Sequence, residues 1–136
     1  DFEFLRKCWS VTRKLLEVNF PQLVVKFKEL EIWDLRLPFF MYEWHYLWFI
    51  HSLKFELALR VFDVILFDGF TALFSVANAI FYYLEGAILA EKDGNALQQK
   101  LKTPLQMLEV EPTTNKFMAY LYQHRVDGRE LLSFFT

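Results

Sequence analysis

Gly69-Phe70-Thr71-Ala72-Leu73-Phe74-Ser75-Val76-Ala77-Asn78-Ala79-Ile80-Phe81-Tyr82-Tyr83-Leu84 runs for sixteen residues without a charge. A stretch this apolar belongs either in a membrane or in the middle of a protein core. Length separates the two. A spanning helix needs about 20 apolar residues, and extending this run meets Asp68 on one side and Glu85 on the other, with Asp63 just beyond. Carboxylates in lipid are costly. With Ser75 and Asn78 inside it, the run reads as a buried core helix from about Phe70 to Ala90. A membrane span is disfavoured.

Working outward, Asp68-Gly69 makes a break, because Asp can cap a helix and Gly accepts backbone angles that other residues avoid. Before it, residues 56–67 form another helical segment. Before that stands Phe39-Phe40-Met41-Tyr42-Glu43-Trp44-His45-Tyr46-Leu47-Trp48-Phe49, after Pro38. Aromatics this dense must be buried on more than one side of a helix. Towards the N-terminus, Phe2, Leu5, Trp9, Leu15 and Leu16 predict a first helix ending near Asn19-Phe20-Pro21, where proline blocks continuation, and residues 23–32 read as a short second one. Towards the C-terminus, Glu91 to Asn95 is a loop, 96–102 is helical and polar, and Pro104 and Pro112 bracket a short element. Thr113 or Thr114 caps a helix carrying Phe117, Tyr120, Leu121 and His124 on one face, which Asp127-Gly128 stops. Only four glycines and four prolines punctuate the chain, and apolar spacings of three and four recur between them. The fold class is all-α, an irregular multi-helix bundle.

Composition excludes several functions. Fifteen basic residues against seventeen acidic ones leave a net charge of −2, and the basic residues are scattered, so nucleic acid is not a partner. The lone Cys8 cannot close an internal disulfide and sits among Phe4, Leu5 and Trp9, as a buried core thiol in a reducing compartment does. The chain starts at Asp1 in mid-pattern of a helix, as a processed, truncated or incompletely traced product would, and Glu3, Arg6, Lys7, Arg13, Lys14 and Glu17 interrupt any signal peptide. His45 and His51 are six apart, not at the i, i+4 spacing of a helical metal pair, so no metal site is indicated. Neither Ser52 nor Cys8 has a base that the sequence shows to be placed on it, and phosphate-cradling glycine loops are absent. No cofactor or catalytic residue is indicated. Asp63, Asp68 and Glu85 lie in apolar surroundings, where paired carboxylates can do acid–base work. The structural alternative is stronger, because Arg60 and Asp63 stand at the i, i+3 spacing of a helical ion pair and Asp68 is placed to cap the next helix.

The same stretch carries a recognisable pattern. Trp44-His45-Tyr46-Leu47-Trp48-Phe49, with Leu59-Arg60-Val61-Phe62-Asp63-Val64-Ile65-Leu66-Phe67-Asp68-Gly69 after it, resembles the run of TBC domains in which a Trp leads to an Arg-Ile-Trp-Asp tetrad and an acidic-Gly pair. Phe62 stands where the tetrad has its usual Trp, and residues 73–80 are similar to the apolar helix next in the family's order. Pro21-Gln22-Leu23 matches an earlier Pro-x-Leu. The resemblance implies the C-terminal lobe of a two-lobed all-α domain that binds Rab-type GTPases, over residues 1–102, with residues 103–136 as a helical extension packing on it.

TBC proteins insert an arginine from an Ile-x-x-Asp-x-x-Arg motif, which neutralises charge on the phosphoryl group, and a glutamine from a Tyr-x-Gln motif, which places the attacking water. Neither motif is in this chain. Ile32-Trp33-Asp34-Leu35-Arg36 has the wrong spacing, and Tyr42-Glu43-Trp44 and Tyr120-Leu121-Tyr122-Gln123 also fail. The resemblance therefore implies a non-catalytic module, a fragment or remnant of a Rab GTPase-activating protein, acting as a GTPase-contact or scaffold surface. The alternative is a structural subunit of a larger assembly that reuses the fold without binding a GTPase. A Rab-type GTPase, an N-terminal lobe or neighbouring subunits are the implied partners, in an intracellular, cytoplasmic or organelle-peripheral location. Trp44, Phe49, Arg60, Phe62, Asp63, Asp68 and Gly69 match positions with architectural roles: an ion pair packed beneath aromatics, and a turn between buried helices. Breaking a buried pair costs about 3–5 kcal/mol, so Asp63→Ala is expected to be unfolded or insoluble.

Overall fold

The computed structural model describes residues 2–34 and 37–135. Arg36, and the side chains of Phe2 and of Pro38 to Met41, lie outside the described residues. The elements are α1 (Phe2–Asn19), α2 (Pro21–Glu29), α3 (Leu37–Tyr46), α4 (Phe55–Asp68), α5 (Phe70–Ala90), α6 (Gly94–Lys100), a 3-10 turn (Pro104–Met107), α7 (Thr114–Gln123) and α8 (Gly128–Phe135). No strand occurs among the described residues. The fold is all-α.

Helix α5 is the axis. Its 21 residues make it long and apolar enough to cross a membrane by length and composition, five residues longer than its charge-free run because the helix continues through Glu85 to Ala90. In this fold most of that surface is covered by protein instead. Leu73, Val76, Ala77, Ile80, Phe81 and Leu84 are buried against α1, α2, α4, α7 and the 3-10 turn. Pro21 begins α2 as well as ending α1, since its fixed φ suits the first turn of a helix. Gly94 opens α6 against the end of α2, where an added Cβ would stand 2.6 Å from the Leu30 carbonyl oxygen.

Two buried polar contacts tie distant segments together. The Trp44 indole is 1% exposed and donates to the Leu101 carbonyl at 3.1 Å, while its ring packs on Phe81 and Phe49. His45 is fully buried between Phe49 and Phe74, with Nε2 2.8 Å from the Thr12 hydroxyl on α1. Residues beyond 102 enter the same core through Leu105, Phe117, Met118 and Leu121. A smaller cluster joins Cys8, Val11 and Leu15 to Phe74 and to Leu131 of α8. Burial pushes the Cys8 thiol up to about 11, so it is a packed thiol, not a nucleophile.

Several boundaries differ from the sequence expectation: α2 covers Pro21–Glu29 against an expected 23–32, and α6 covers Gly94–Lys100 against an expected 96–102. Helix α3 ends at Tyr46, three residues early, because Trp48 and Phe49 turn into left-handed backbone with φ of +51° and +65°. Such angles cost about 1–2 kcal/mol per non-glycine residue. The turn offsets this by burying Phe49 completely against Trp44 and closing a 2.9 Å bond from the Phe49 N–H to the Trp44 carbonyl. Asp127-Gly128 starts a helix instead of stopping one: the Asp127 carboxylate accepts from the Arg129 N–H at 2.9 Å. Asp68 caps nothing with its side chain, since Gly69 with φ +76° occupies the cap position of α5. Thr113 does cap α7, accepting from the Lys116 N–H at 3.1 Å.

The His45 imidazole has an acid signature. Burial pulls it from 6.5 down to about 3. The folded chain therefore refuses a proton that the unfolded chain accepts near pH 6.5. Stability from this group is complete above pH 6.5 and falls as pH drops towards 3, by about 1.4 kcal/mol per unit. Denaturant unfolding at pH 7.5 and 5.5 should show this loss, with a flatter acid limb in His45→Leu. Equal slopes in the two proteins would contradict it.

Candidate functional site

Helix α4 is apolar on two sides. Leu57, Ala58, Val61, Val64 and Ile65 are buried and fix one face against α5. A second set, Phe55, Leu59, Phe62 and Leu66, recurs at spacings of four, three and four, the repeat of a helical stripe. Phe62 leans on Trp48 with ring centroids 5.1 Å apart and is half-buried, but Phe55, Leu59 and Leu66 face solvent. At the corner into α5, Phe67 is 93% exposed, and Phe70 is exposed with its ring 5.0 Å from that of Phe4. Scattered exposed apolar residues are ordinary, whereas a contiguous set on one element marks an interface.

The polar members of the motif are on the solvent side too. Arg60 and Asp63 are exposed, and they form no ion pair with each other. Arg60 Nη1 donates instead to Asn115 Oδ1 of α7 at 3.3 Å. This corrects the buried pair expected from their spacing. The face that enters the core is set by residues 57, 58, 61, 64 and 65, and a helix puts 60 and 63 on the opposite side. Asp68 binds Arg125 at 3.3 Å, and Arg125 also lies over the Tyr122 ring at 5.5 Å. Asp63, Val64, Phe67, Asp68, Tyr122 and Arg125 line a groove of about 250 Å³ between α4 and α7. Trp44 and Phe49 are fully internal, and Gly69 forms the left-handed turn between α4 and α5.

Sequence reasoning missed the outer stripe. A helix apolar all round is normally buried all round, and only the packing shows which side of α4 stays bare. Among the described residues, no three His, Cys, Asp or Glu side chains meet in a metal-holding group. The candidate site is an exposed apolar surface, built from one helix and its corner.

The chain is an all-α bundle with an Arg-x-x-Asp helix, a glycine corner and a buried apolar helix next to it. The Rab-GTPase-TBC domain family matches residues 1–89, and the chain belongs to that family. It is similar to growth hormone-regulated TBC protein 6 of Caenorhabditis elegans, 34% identical over 77 residues. That stretch covers 57% of this chain and 22% of the worm protein, so the chain spans far less than the relative's length. No solved structure matches it.

Since Asp63 is exposed and makes no ion pair among the described residues, Asp63→Ala should fold normally, with stability within about 0.5 kcal/mol of wild type. Trp44→Phe should cost about 1–3 kcal/mol by leaving the buried Leu101 carbonyl unsatisfied. Thermal and denaturant unfolding of the two variants checks both, and a severely destabilised Asp63→Ala would restore the buried-pair picture.

Proposed function

We propose that the chain is a non-catalytic module corresponding to the second half of a TBC domain, and that the outer face of α4 is its contact surface for a Rab-type GTPase. Family membership supports a Rab-related role. The order of Trp44, Arg60-x-x-Asp63 and Asp68-Gly69 supports the assignment to the second half. The 136 residues contain no Ile-x-x-Asp-x-x-Arg and no Tyr-x-Gln, so they hold no arginine to neutralise phosphoryl charge and no glutamine to place water. The observation that carries the contact role is the bare stripe of Phe55, Leu59 and Leu66, with Arg60, Asp63 and the exposed Phe67 beside it. An apolar centre with charges beside it suits a protein partner. This role goes with an intracellular location, cytoplasmic or peripheral to an organelle membrane.

A second reading makes the chain a structural subunit that packs on neighbours without a GTPase. The near-complete exposure of Phe67 favours it, because permanent interfaces are more apolar than transient ones.

The purified chain, incubated with a panel of GTP-loaded Rab proteins, decides between the two. Enrichment of at least one Rab is expected, weakened about tenfold or more by Leu59→Glu, a surface change that leaves the helical spectrum intact. Single-turnover GTP hydrolysis should stay at its intrinsic rate, against the roughly 10⁵-fold acceleration of a finger-supplying activator. Enrichment of no Rab overturns the GTPase contact, and marked acceleration overturns the non-catalytic assignment.

A further inference from the structure

Helix α5 carries one charged residue in 21, Glu85. That carboxylate is half-buried and has no cation within ion-pair distance among the described residues. It lies at the junction of two clefts, of about 480 and 600 Å³, which share Tyr82, Glu85 and Tyr120 as walls. Together they make a trough along the seam of α5 and α7, whose Tyr120 and His124 lie beyond the residues matched by the family.

The trough wall is aromatic. Tyr82 stacks on Tyr120 with centroids 4.0 Å apart and planes at 17°, and Tyr120 stacks in turn on His124 at 4.1 Å and 18°. Tyr82 keeps about half its surface open, at 49%. One end holds Glu130, exposed and without an ion pair among the described residues. The other holds Gly86, whose missing side chain leaves open space: an added Cβ would meet nothing within 4 Å. Glycine inside a helix costs about 0.5–1 kcal/mol relative to alanine, and no contact among the described residues explains it.

Two cations border the trough, and neither neutralises Glu85. Arg125 is bound to Asp68 at 3.3 Å. Lys116 lines the larger cleft but makes no ion pair among the described residues. What remains is a carboxylate beside the exposed Tyr82 ring, with a second carboxylate further along. Guanidinium is the side-chain group that satisfies both at once, because it is planar, stacks on aromatic faces and gives paired N–H donors to a carboxylate. We propose that this trough is a docking site for an arginine side chain presented by a partner protein, held by Glu85 against Tyr82 and steered by Glu130. The proposal is independent of the role given to α4.

The test is an NMR titration of the ¹⁵N-labelled 136-residue chain with N-acetyl-arginine methylamide, and separately with the corresponding citrulline and lysine compounds. Arginine should shift the amides of Tyr82, Glu85, Gly86, Tyr120 and His124 saturably, with a Kd of about 1–10 mM, as suits a single side chain. Citrulline has the same shape without the charge and should shift them little, and lysine should bind several-fold more weakly than arginine. Glu85→Gln, at a half-exposed position that leaves the core intact, should weaken arginine binding about fivefold or more. Lys116→Met should strengthen it about twofold by removing a like charge that repels the incoming guanidinium. Equal binding of citrulline or lysine, an undiminished response in Glu85→Gln, or no saturable shift would each overturn the proposal.

Discussion

The fold depends on a buried indole. Trp44 is the largest fully buried side chain among the described residues, and an indole N–H taken out of water must find an acceptor or forfeit about 1–3 kcal/mol. Its acceptor is the carbonyl of Leu101, at the far end of α6. One hydrogen bond therefore fixes α3 against the segment C-terminal to α5, and the same ring, lying on Phe81, fixes both against the axis of the bundle. The left-handed turn at Trp48 and Phe49 is a consequence, since only a sharp reversal after Tyr46 brings Phe49 back onto the indole. Residues after 89 are thus part of the core architecture, although the family match ends there.

With the interior closed in this way, α4 is left with an apolar face that nothing in the described chain covers. Its inner residues are enough to hold it on α5, so Phe55, Leu59 and Leu66 are not needed for folding. Residues that folding does not need, yet which cost solubility, support the partner contact proposed for this face. Arg60 and Asp63 belong to that surface and not to the core. On the other flank, the seam of α5 and α7 presents a different chemistry, with stacked tyrosines and an unneutralised carboxylate. The molecule has two separate faces suited to protein contact, one apolar and one acidic-aromatic.

Much of the fold is legible in the sequence because helices announce themselves through apolar spacing and proline. Helix α5 shows in its charge-free run, α1 and α2 in the proline between them, and α7 in its threonine cap. Direction is what sequence does not carry. The i, i+3 spacing of Arg60 and Asp63 permits a pair, but only the burial of Val61, Val64 and Ile65 shows that both point to solvent. Asp68 and Asp127 illustrate the same limit, because an Asp beside a Gly serves equally at the start of a helix, at its end, or in an ion pair across the fold. Apolar density places the end of α3 too late, because the strained turn that ends it is stabilised by tertiary burial, for which local sequence carries no signal. The acidic-aromatic trough is invisible for a related reason: Glu85 and Glu130 are 45 positions apart in sequence and meet only through the packing of α7 and α8.

The most direct test is to ask whether the residues matched by the family fold on their own, with α6, the 3-10 turn, α7 and α8 removed. A chain ending at residue 93 keeps α1 to α5 but lacks the Leu101 carbonyl that Trp44 needs, together with Leu105, Phe117 and Leu121. Thermal unfolding monitored by near-ultraviolet circular dichroism, compared with the 136-residue chain, reads the outcome. Loss of the aromatic signal and of a cooperative transition, with helical content retained in part, is expected. A cooperative transition at an unchanged Tm would contradict the central place of the Trp44–Leu101 contact.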